Sequence, residues 1–205
     1  MRLVGSGGQQ RHDYTFDASG TITTGGTAQL VLPQRQSCSY LLLQNVSSGT
    51  LFFGFGSARA TATITSGVVT SCAVTNGGFN FSKPPIIRFL GGGGNTPFLG
   101  GNLPGYPSPA SIASAHCVMT GSAPNMSVSS IVVDNGGAGY LIAPYVQIIN
   151  SDLDPYGAFL PSATAGVELL ANGSSLTFNG TVCTTDPISV YGATTGQAFN
   201  ALWMD

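Results

Sequence analysis

The side chains that could perform acid–base or metal chemistry are few in this chain. Its 205 residues include two histidines, eight acidic residues and six basic residues. Asp152 and Asp154, in the stretch SDLDPYG, are the best carboxylate pair, and with loop carbonyl oxygens they could bind calcium. The same stretch is also typical of an ordinary turn in which Asp precedes Pro. We favour the turn and therefore predict no metal site.

Neither histidine stands in a pattern that predicts a catalytic dyad. His12 adjoins Asp13 in a polar stretch near the start of the chain, where a solvated or interfacial pair is the simpler interpretation. His116 precedes Cys117 at the start of a predicted apolar strand. Neighbours on a strand point to opposite faces of the sheet, so these two side chains should not meet.

Carbohydrate cleavage on a β scaffold is the enzymatic alternative. It needs two carboxylates across a cleft, and Asp152, Asp154 and Glu168 would be the candidates. The sequence contains no nucleophile elbow, and its one lysine, Lys83, does not follow a phosphate-binding glycine loop. The glycine run at 91–94 opens no predicted helix. We therefore predict a protein without catalytic activity and without a cofactor.

The composition indicates a neutral surface that forms hydrogen bonds. Only 7% of the residues are charged, against about 25% in ordinary soluble proteins, and the net charge is −2. Nucleic acids and anionic membrane surfaces need a basic face, so we expect neither as a partner. No apolar run approaches the ~18 residues of a membrane span, and the opening MRLVGSGGQQ lacks the apolar stretch of a secretory signal. Such a surface suits packing against other protein molecules.

The four cysteines are far apart in the sequence and form no C-x-x-C pair. They are Cys38, Cys72, Cys117 and Cys183. This spacing does not fit a zinc site. We expect all four to be small apolar residues of the core.

Short apolar or alternating runs, separated by Gly, Asn and Pro, predict an all-β fold from residue 29 onward. Residues 1–28 are polar and glycine-rich, and we expect an extended arm that becomes ordered only on a partner. Residues 39–56 hold two apolar runs around NVSSG, which predicts a hairpin. Residues 90–114 are rich in Gly and Pro and predict a long surface loop.

Four aromatic residues are candidates for an interface. Phe52, Phe53 and Phe55 alternate poorly, so one face of their strand could form an exposed apolar patch between subunits, although a core position is the default interpretation. Trp203 stands three residues from the end of the chain. We expect it to dock this end against a core or a subunit rather than to bind sugar.

One unit is present twice in the sequence. AVTNGGFNFSKPPIIRF (73–89) lies on VVDNGGAGYLIAPYVQI (132–148) with a constant offset of 59 and no gap. We expect Asn-Gly-Gly to reverse the chain, the aromatic ring to cover the turn, and the proline to start the return strand. Each unit would be a small three-stranded sheet, and two units would share one core. The motif residues are Asn76, Gly77, Gly78, Phe81 and Pro85 in the first copy and Asn135, Gly136, Gly137, Gly139, Tyr140 and Pro144 in the second.

The repeated unit resembles the G-x-GY-x-x-x-P-x-V repeats of bacteriophage virion proteins, found in tail, fibre and head-surface components. The second copy, NGGAGYLIAPYVQI, matches this pattern well, whereas the first has Asn80 where Gly139 stands. The flanking stretches YLLLQNVSSGTLFFGFGSARA, GVELLANGSSLTF and ISVYGATTGQAFNALWMD are similar to the opening and closing strands of small phage β-sandwich proteins.

Together these resemblances imply a β-sandwich or jelly-roll-like host domain with an inserted β-repeat domain. The host would comprise residues 29–59 and 166–205, and the insertion 60–165, with repeats at about 60–90 and 115–150. The implied function is that of a virion structural protein, first of all a capsid decoration or cement protein. It would form a homotrimer and bind the major capsid protein. The alternative is a tail-fibre or baseplate protein, or an adhesin that binds host glycans.

Overall fold

The protein is described here by a computed structural model, which covers residues 15–35, 37–93, 109–150 and 154–204. The predicted all-β fold class is confirmed, because the described residues form strands in three antiparallel sheets and only one short 3-10 turn, Gly180–Val182. The strands are β1 (Thr15–Asp17), β2 (Gly20–Thr21), β3 (Gln29–Leu32), β4 (Tyr40–Asn45), β5 (Leu51–Phe55), β6 (Arg59–Thr65), β7 (Val68–Asn76), β8 (Ile86–Leu90), β9 (Ser114–Thr120), β10 (Ser127–Asn135), β11 (Tyr145–Ile149), β12 (Val167–Leu169), β13 (Ser175–Asn179), β14 (Ile188–Gly192) and β15 (Ala198–Met204).

Two of the sheets share one core and form a sandwich. One has the order β1-β15-β4-β13, with β2 also paired to β15, and the other has the order β12-β5-β14-β3. Alternate residues of these strands point inward, as the period of two in a strand requires. The core they form contains Leu41 and Leu43 of β4, Phe53 of β5 and Val190 of β14. Every strand of the sandwich lies before residue 56 or after residue 166.

The predicted hairpin at residues 39–56 is wrong, because its two strands lie in opposite sheets. Strand β4 pairs with β13 and β15, whereas β5 pairs with β12 and β14. The connecting NVSSG is an arch around the buried Asn45, whose Nδ2 donates to the carbonyl oxygens of Gly49 (2.8 Å) and Leu169 (2.9 Å). Alternating runs look the same in a hairpin and in an arch, since in both cases one face of each strand is buried.

The predicted N-terminal arm is wrong for residues 15–28, which belong to the sandwich. Strands β1 and β2 both pair with the last strand, β15. Ile22 is 1% exposed in the core, and its N–H donates to the carbonyl oxygen of Gln197 at 2.8 Å. A single isoleucine in a glycine-rich stretch gives no periodic pattern, so only the tertiary pairing reveals it. Residues 1–14 lie outside the described residues.

The third sheet contains both sequence repeats and is named here the repeat sheet. Its order is β8-β11-β6-β7-β10-β9, and β8 also lies against β9, so the sheet is nearly closed. The hairpins β6–β7 and β9–β10 are equivalent, and the pairs β7–β10 and β8–β11 each join equivalent strands. The repeat sheet therefore has an approximate internal twofold symmetry around one core, which includes Val69, Phe81, Val128 and Tyr140.

The expected three-stranded unit is wrong, although the two copies do share a core. After each Asn-Gly-Gly turn the chain crosses the end of the sheet. The strand that follows the turn does not pair with the hairpin that precedes it. Thus β8 pairs with β11 of the second copy, and β11 pairs in addition with β6 of the first. This exchange buries the aromatic residue of each copy under strands from both copies. Of the predicted loop at 90–114, residues 94–108 lie outside the described residues.

All four cysteines lie in or pack against the two cores, as expected, but two of them are also joined to each other. Cys38 and Cys183 form a disulfide with a Cα–Cα distance of 5.6 Å, across 145 residues of sequence. It joins the segment that precedes β4 to the segment that precedes β14. Cys117 is buried as expected, and burial raises the pKa of its thiol to about 11. Cys72 is half-buried and also free.

Candidate functional site

The two Asn-Gly-Gly turns have the same geometry. The Oδ1 of Asn76 accepts the N–H of Gly78 at 3.0 Å, and the Oδ1 of Asn135 accepts the N–H of Gly137 at 2.8 Å. These are side-chain turns of the kind that asparagine favours. Gly78 has φ of 62° and Gly137 of 66°, a left-handed conformation that favours glycine. The second glycine of each motif is thus required by the backbone.

The first glycine of each motif is required by a close approach between the two copies. A Cβ on Gly77 would lie 2.5 Å from the carbonyl oxygen of Val128, and a Cβ on Gly136 would lie 2.5 Å from that of Val69. In return, the N–H of Val128 donates to the Gly77 carbonyl at 2.8 Å, and the N–H of Val69 donates to the Gly136 carbonyl at 2.9 Å. Each turn is therefore bonded to the hairpin of the other copy.

The aromatic residues and prolines of the motif are buried in both copies. Phe81 is 1% exposed and Tyr140 is 2% exposed. The Tyr140 hydroxyl accepts the N–H of Ala113 at 2.8 Å, and burial raises the pKa of Tyr140 more than this hydrogen bond lowers it. Pro85 and Pro144 directly precede the return strands β8 and β11 and are buried.

The replacement of glycine by asparagine in the first copy leaves the turn unchanged. Asn80 has φ of 60° and the equivalent Gly139 has φ of 81°, so both are left-handed. Asparagine tolerates this region better than most residues because its short polar side chain can bond locally. The turn of the first copy therefore keeps the left-handed backbone of the second despite its altered motif.

Asp154 supports the first turn through its buried carboxylate. It is 2% exposed, and its Oδ2 accepts the N–H groups of Ser82 (2.7 Å) and Lys83 (2.9 Å). In the second copy the two equivalent N–H groups donate to a backbone oxygen, the carbonyl of Gly92, at 2.7 and 3.1 Å. The carboxylate thus occupies the place of a carbonyl group. Asp154 and Ser82 are 72 residues apart in the sequence, so no local pattern predicts this role.

Among the described candidates, Glu168 and His116 form no common cluster with Asp154. Asp152, His12 and Asp13 lie outside the described residues. Glu168 lies on β12 opposite Phe52, at an exposed position. Within the described ranges no three His, Cys, Asp or Glu side chains cluster in a way that could hold a metal ion.

His116 has an acidic partner, Asp134, which is 18 residues away and which no sequence pattern predicts. Its Nδ1 lies 2.7 Å from Oδ1 of Asp134, on the neighbouring strand β10. The side chains are 57% and 48% exposed, and exposed pairs of this kind contribute at most about 1 kcal/mol. Cys117 points to the opposite face, into the core, so no Cys–His dyad forms.

Two of the three candidate phenylalanines belong to the sandwich core, and Phe52 lies on the opposite face of β5. Phe53 is fully buried, so it is a core residue and not part of an interface. Phe52 packs against Tyr191 with ring centroids 6.2 Å apart, and Phe55 packs edge-on against Phe178 at 5.6 Å. Leu51, Phe53 and Phe55 alternate toward the other sheet, and the alternation looks poor because Phe52, on the opposite face beside Tyr191, is aromatic as well.

Trp203 is held at the end of the sandwich. Its ring stacks on Phe16 with centroids 4.5 Å apart, and the Arg35 guanidinium lies 5.1 Å from its ring centroid. The indole N–H donates to the Ser37 carbonyl at 3.3 Å. Trp203 therefore docks the last strand against the first described strand.

A cleft of about 460 Å³ lies between the sandwich and the outer face of the repeat sheet. Asn150 is among its lining residues but is only 4% exposed, and its Nδ2 donates to the Gly157 carbonyl at 2.7 Å. The walls are mostly polar on both sides. Those lining side chains that can form hydrogen bonds are Gln34, Ser57, Arg59, Thr61, Thr75, Tyr145, Gln147, Asn150 and Asp186.

Comparisons with protein-family models, with curated proteins and with solved structures found no match for this chain. Within the described residues, no helix has the length and apolar character needed to cross a membrane.

Proposed function

We propose that this chain is a structural protein of a bacteriophage virion, without catalytic activity, and that it decorates and stabilises the assembled head. The sequence resemblances of the repeats and of the flanking strands are the origin of this proposal. Its partners would be the major capsid protein and further copies of itself, as a homotrimer on the capsid surface.

The observation that supports the proposal best is the reciprocal bonding of the two repeats. Each turn is bonded to the hairpin of the other copy through a close backbone approach, as between Gly77 and Val128. Such a unit is suited to a mechanical role because neither copy can open without breaking the other. Binding to an assembled shell but not to its free subunits would stabilise the shell by mass action, and many contacts would add through multivalency.

Antibody labelling of intact particles from the source, viewed by electron microscopy, tests the proposal. Label spread over the head supports the decoration role. Label confined to the tail would replace it by the fibre or baseplate role. Absence of label from all particles would refute a virion protein.

The alternative adhesin role is favoured by one observation, the polar cleft beside Tyr145. An exposed aromatic ring together with amide and hydroxyl groups is a chemistry that suits a hydroxyl-rich glycan. Binding of cell-surface glycans by the purified protein, and its loss on Tyr145→Ala, would favour this alternative. Saccharide turnover that is lost on changing Asp152 or Glu168, or on changing Asp154 in a variant that remains folded, would instead show that the chain is an enzyme.

A further inference from the structure

The two ends of the repeat sheet are equivalent in backbone but have different surroundings. At one end, the turn of the first copy faces the sandwich. There Asn76 bonds to Leu160 through Nδ2 (2.8 Å) and Oδ1 (3.1 Å), and the next residue toward the turn, Phe159, reaches the sandwich. The turn of the second copy lies at the opposite end of the antiparallel pair β7–β10, away from the sandwich.

The end that faces the sandwich already acts as a docking surface within the chain. Phe159 is 5% exposed, its N–H donates to the Gly56 carbonyl at 2.8 Å, and its carbonyl accepts the Ser189 hydroxyl at 2.6 Å. Its ring lies so close to Gly54 that a Cβ there would come within 2.5 Å of it. An apolar side chain at this place therefore joins the repeat sheet to another domain.

The equivalent place at the far end is occupied by Ile112. Ala158 bridges Phe79 in the first copy and Ser111 bridges the equivalent Ala138 in the second, so the residues that follow, Phe159 and Ile112, correspond. Ile112, however, is 54% exposed. The far end thus presents an apolar residue where the near end has its docking contact.

Two further aliphatic residues at the far end are not required by the fold. Leu141 is 73% exposed and Ile142 is 69% exposed, directly after the buried Tyr140. The first copy has Ser82 and Lys83 on the equivalent backbone, with the equivalent N–H hydrogen bonds. The chain itself therefore shows that polar residues are compatible with this turn. The distal patch is defined as Val68, Ile112, Leu141 and Ile142.

We propose that the distal patch is a contact surface between copies of this chain. None of its four residues is charged, so two copies can approach without repulsion, and the equivalent end of the same sheet already docks on a domain of this chain. The patch is on the order of the ~300–600 Å² that is often functional on monomers. Two such patches would bury less than the ~1,200 Å² of stable interfaces, so the contact between free molecules is weak. This inference does not depend on the virion role.

Sedimentation of the purified full-length chain between about 10 µM and about 1 mM tests it, and we expect the average mass to rise above that of the monomer toward the upper end of this range. The variant Leu141→Ser/Ile142→Lys gives the second copy the residues of the first. We expect it to stay monomeric over the same range. The control Leu170→Ser/Val182→Lys makes the same chemical changes at two exposed positions of the sandwich, 61% and 66% exposed, and should associate like the wild type.

Each contrary outcome would overturn the proposal in a recognisable way. A wild-type chain that remains monomeric at about 1 mM has no such contact. Equal association of the wild type and the distal variant would place the contact elsewhere. A melting temperature of the variant more than about 5 °C below that of the wild type would show that the patch supports the fold of its own chain instead.

Discussion

The close approach at Gly77 allows a prediction whose magnitude follows from the structure. In Gly77→Ala the new Cβ would lie 2.5 Å from the Val128 carbonyl oxygen, whereas ordinary contacts begin at about 3.4 Å, so the strands must separate by several tenths of an ångström. The displaced atoms are backbone, which cannot rotate away. Overpacking of this kind costs about 1–3 kcal/mol.

The same change should weaken the hydrogen bond between the Val128 N–H and the Gly77 carbonyl, now 2.8 Å. Its loss adds about 1 kcal/mol, and the lower entropy of the unfolded alanine chain offsets about 0.5 kcal/mol. We expect the free energy of unfolding to fall by about 1.5–3.5 kcal/mol. By the internal symmetry, Gly136→Ala should cost a similar amount, because its Cβ would lie 2.5 Å from the carbonyl oxygen of Val69.

Urea unfolding followed by far-ultraviolet circular dichroism measures the free energy, and amide exchange by NMR measures protection of the Val128 N–H. Gly26→Ala is the matched control, because a Cβ there has no atom within 4 Å and meets only a left-handed φ of 78°. We expect this control to cost about 1 kcal/mol and to leave the Val128 amide protected. If Gly77→Ala costs no more than the control and the Val128 amide keeps its protection, the account of reciprocal bonding is refuted.

Three other changes test separate parts of the structure, each by urea unfolding. Cys38→Ser/Cys183→Ser should lower the free energy of unfolding by about 3–5 kcal/mol, because the disulfide closes a long loop of the unfolded chain. If reductant leaves the urea midpoint of the wild type unchanged, this prediction is wrong. Asp154→Ala should lower the free energy of unfolding by about 2–3 kcal/mol, because it leaves two N–H donors unpaired. Asp154→Asn retains an acceptor and should lower it less. Equal losses of stability in the two variants would show that the acceptor is unimportant. Tyr140→Phe should cost about 1 kcal/mol through the unpaired N–H of Ala113, and no change would show that water replaces the hydroxyl.

The sequence allowed the local geometry of the repeats to be predicted, because that geometry depends on residue types that few others can replace. The unit needs an asparagine before two glycines, then an aromatic residue and a proline. Each of these residue types is favoured by a backbone or steric requirement within the unit itself. The pairing of the strands could not be predicted in the same way. Whether β8 returns to its own hairpin or crosses to the other copy depends on which arrangement buries Phe81 and Tyr140 best. That comparison involves residues 59 positions apart.

The errors in the sandwich have the same physical origin. Leu43 and Leu51 point into one core from opposite sheets, and a hairpin would have shown the same alternation. Ile22 contributes one buried side chain without a periodic pattern around it. Cys38 and Cys183 meet because β13 pairs with β4 in one sheet, so that the 3-10 turn after Asn179 lies beside the residues that precede Tyr40. In each case the missing information was the sheet to which a strand belongs.

The duplication also separates residues that serve the fold from residues that serve a surface. Where the two copies agree, as at Gly77 and Gly136, the structure shows a contact that forbids other side chains. Where they differ on an equivalent backbone, as at Lys83 and Ile142, the fold accepts either residue, so the difference must come from what surrounds each end. The near end is bonded to the sandwich of the same chain. The far end has no such neighbour within the described ranges, and its exposed aliphatic residues are explained if the neighbour is another molecule.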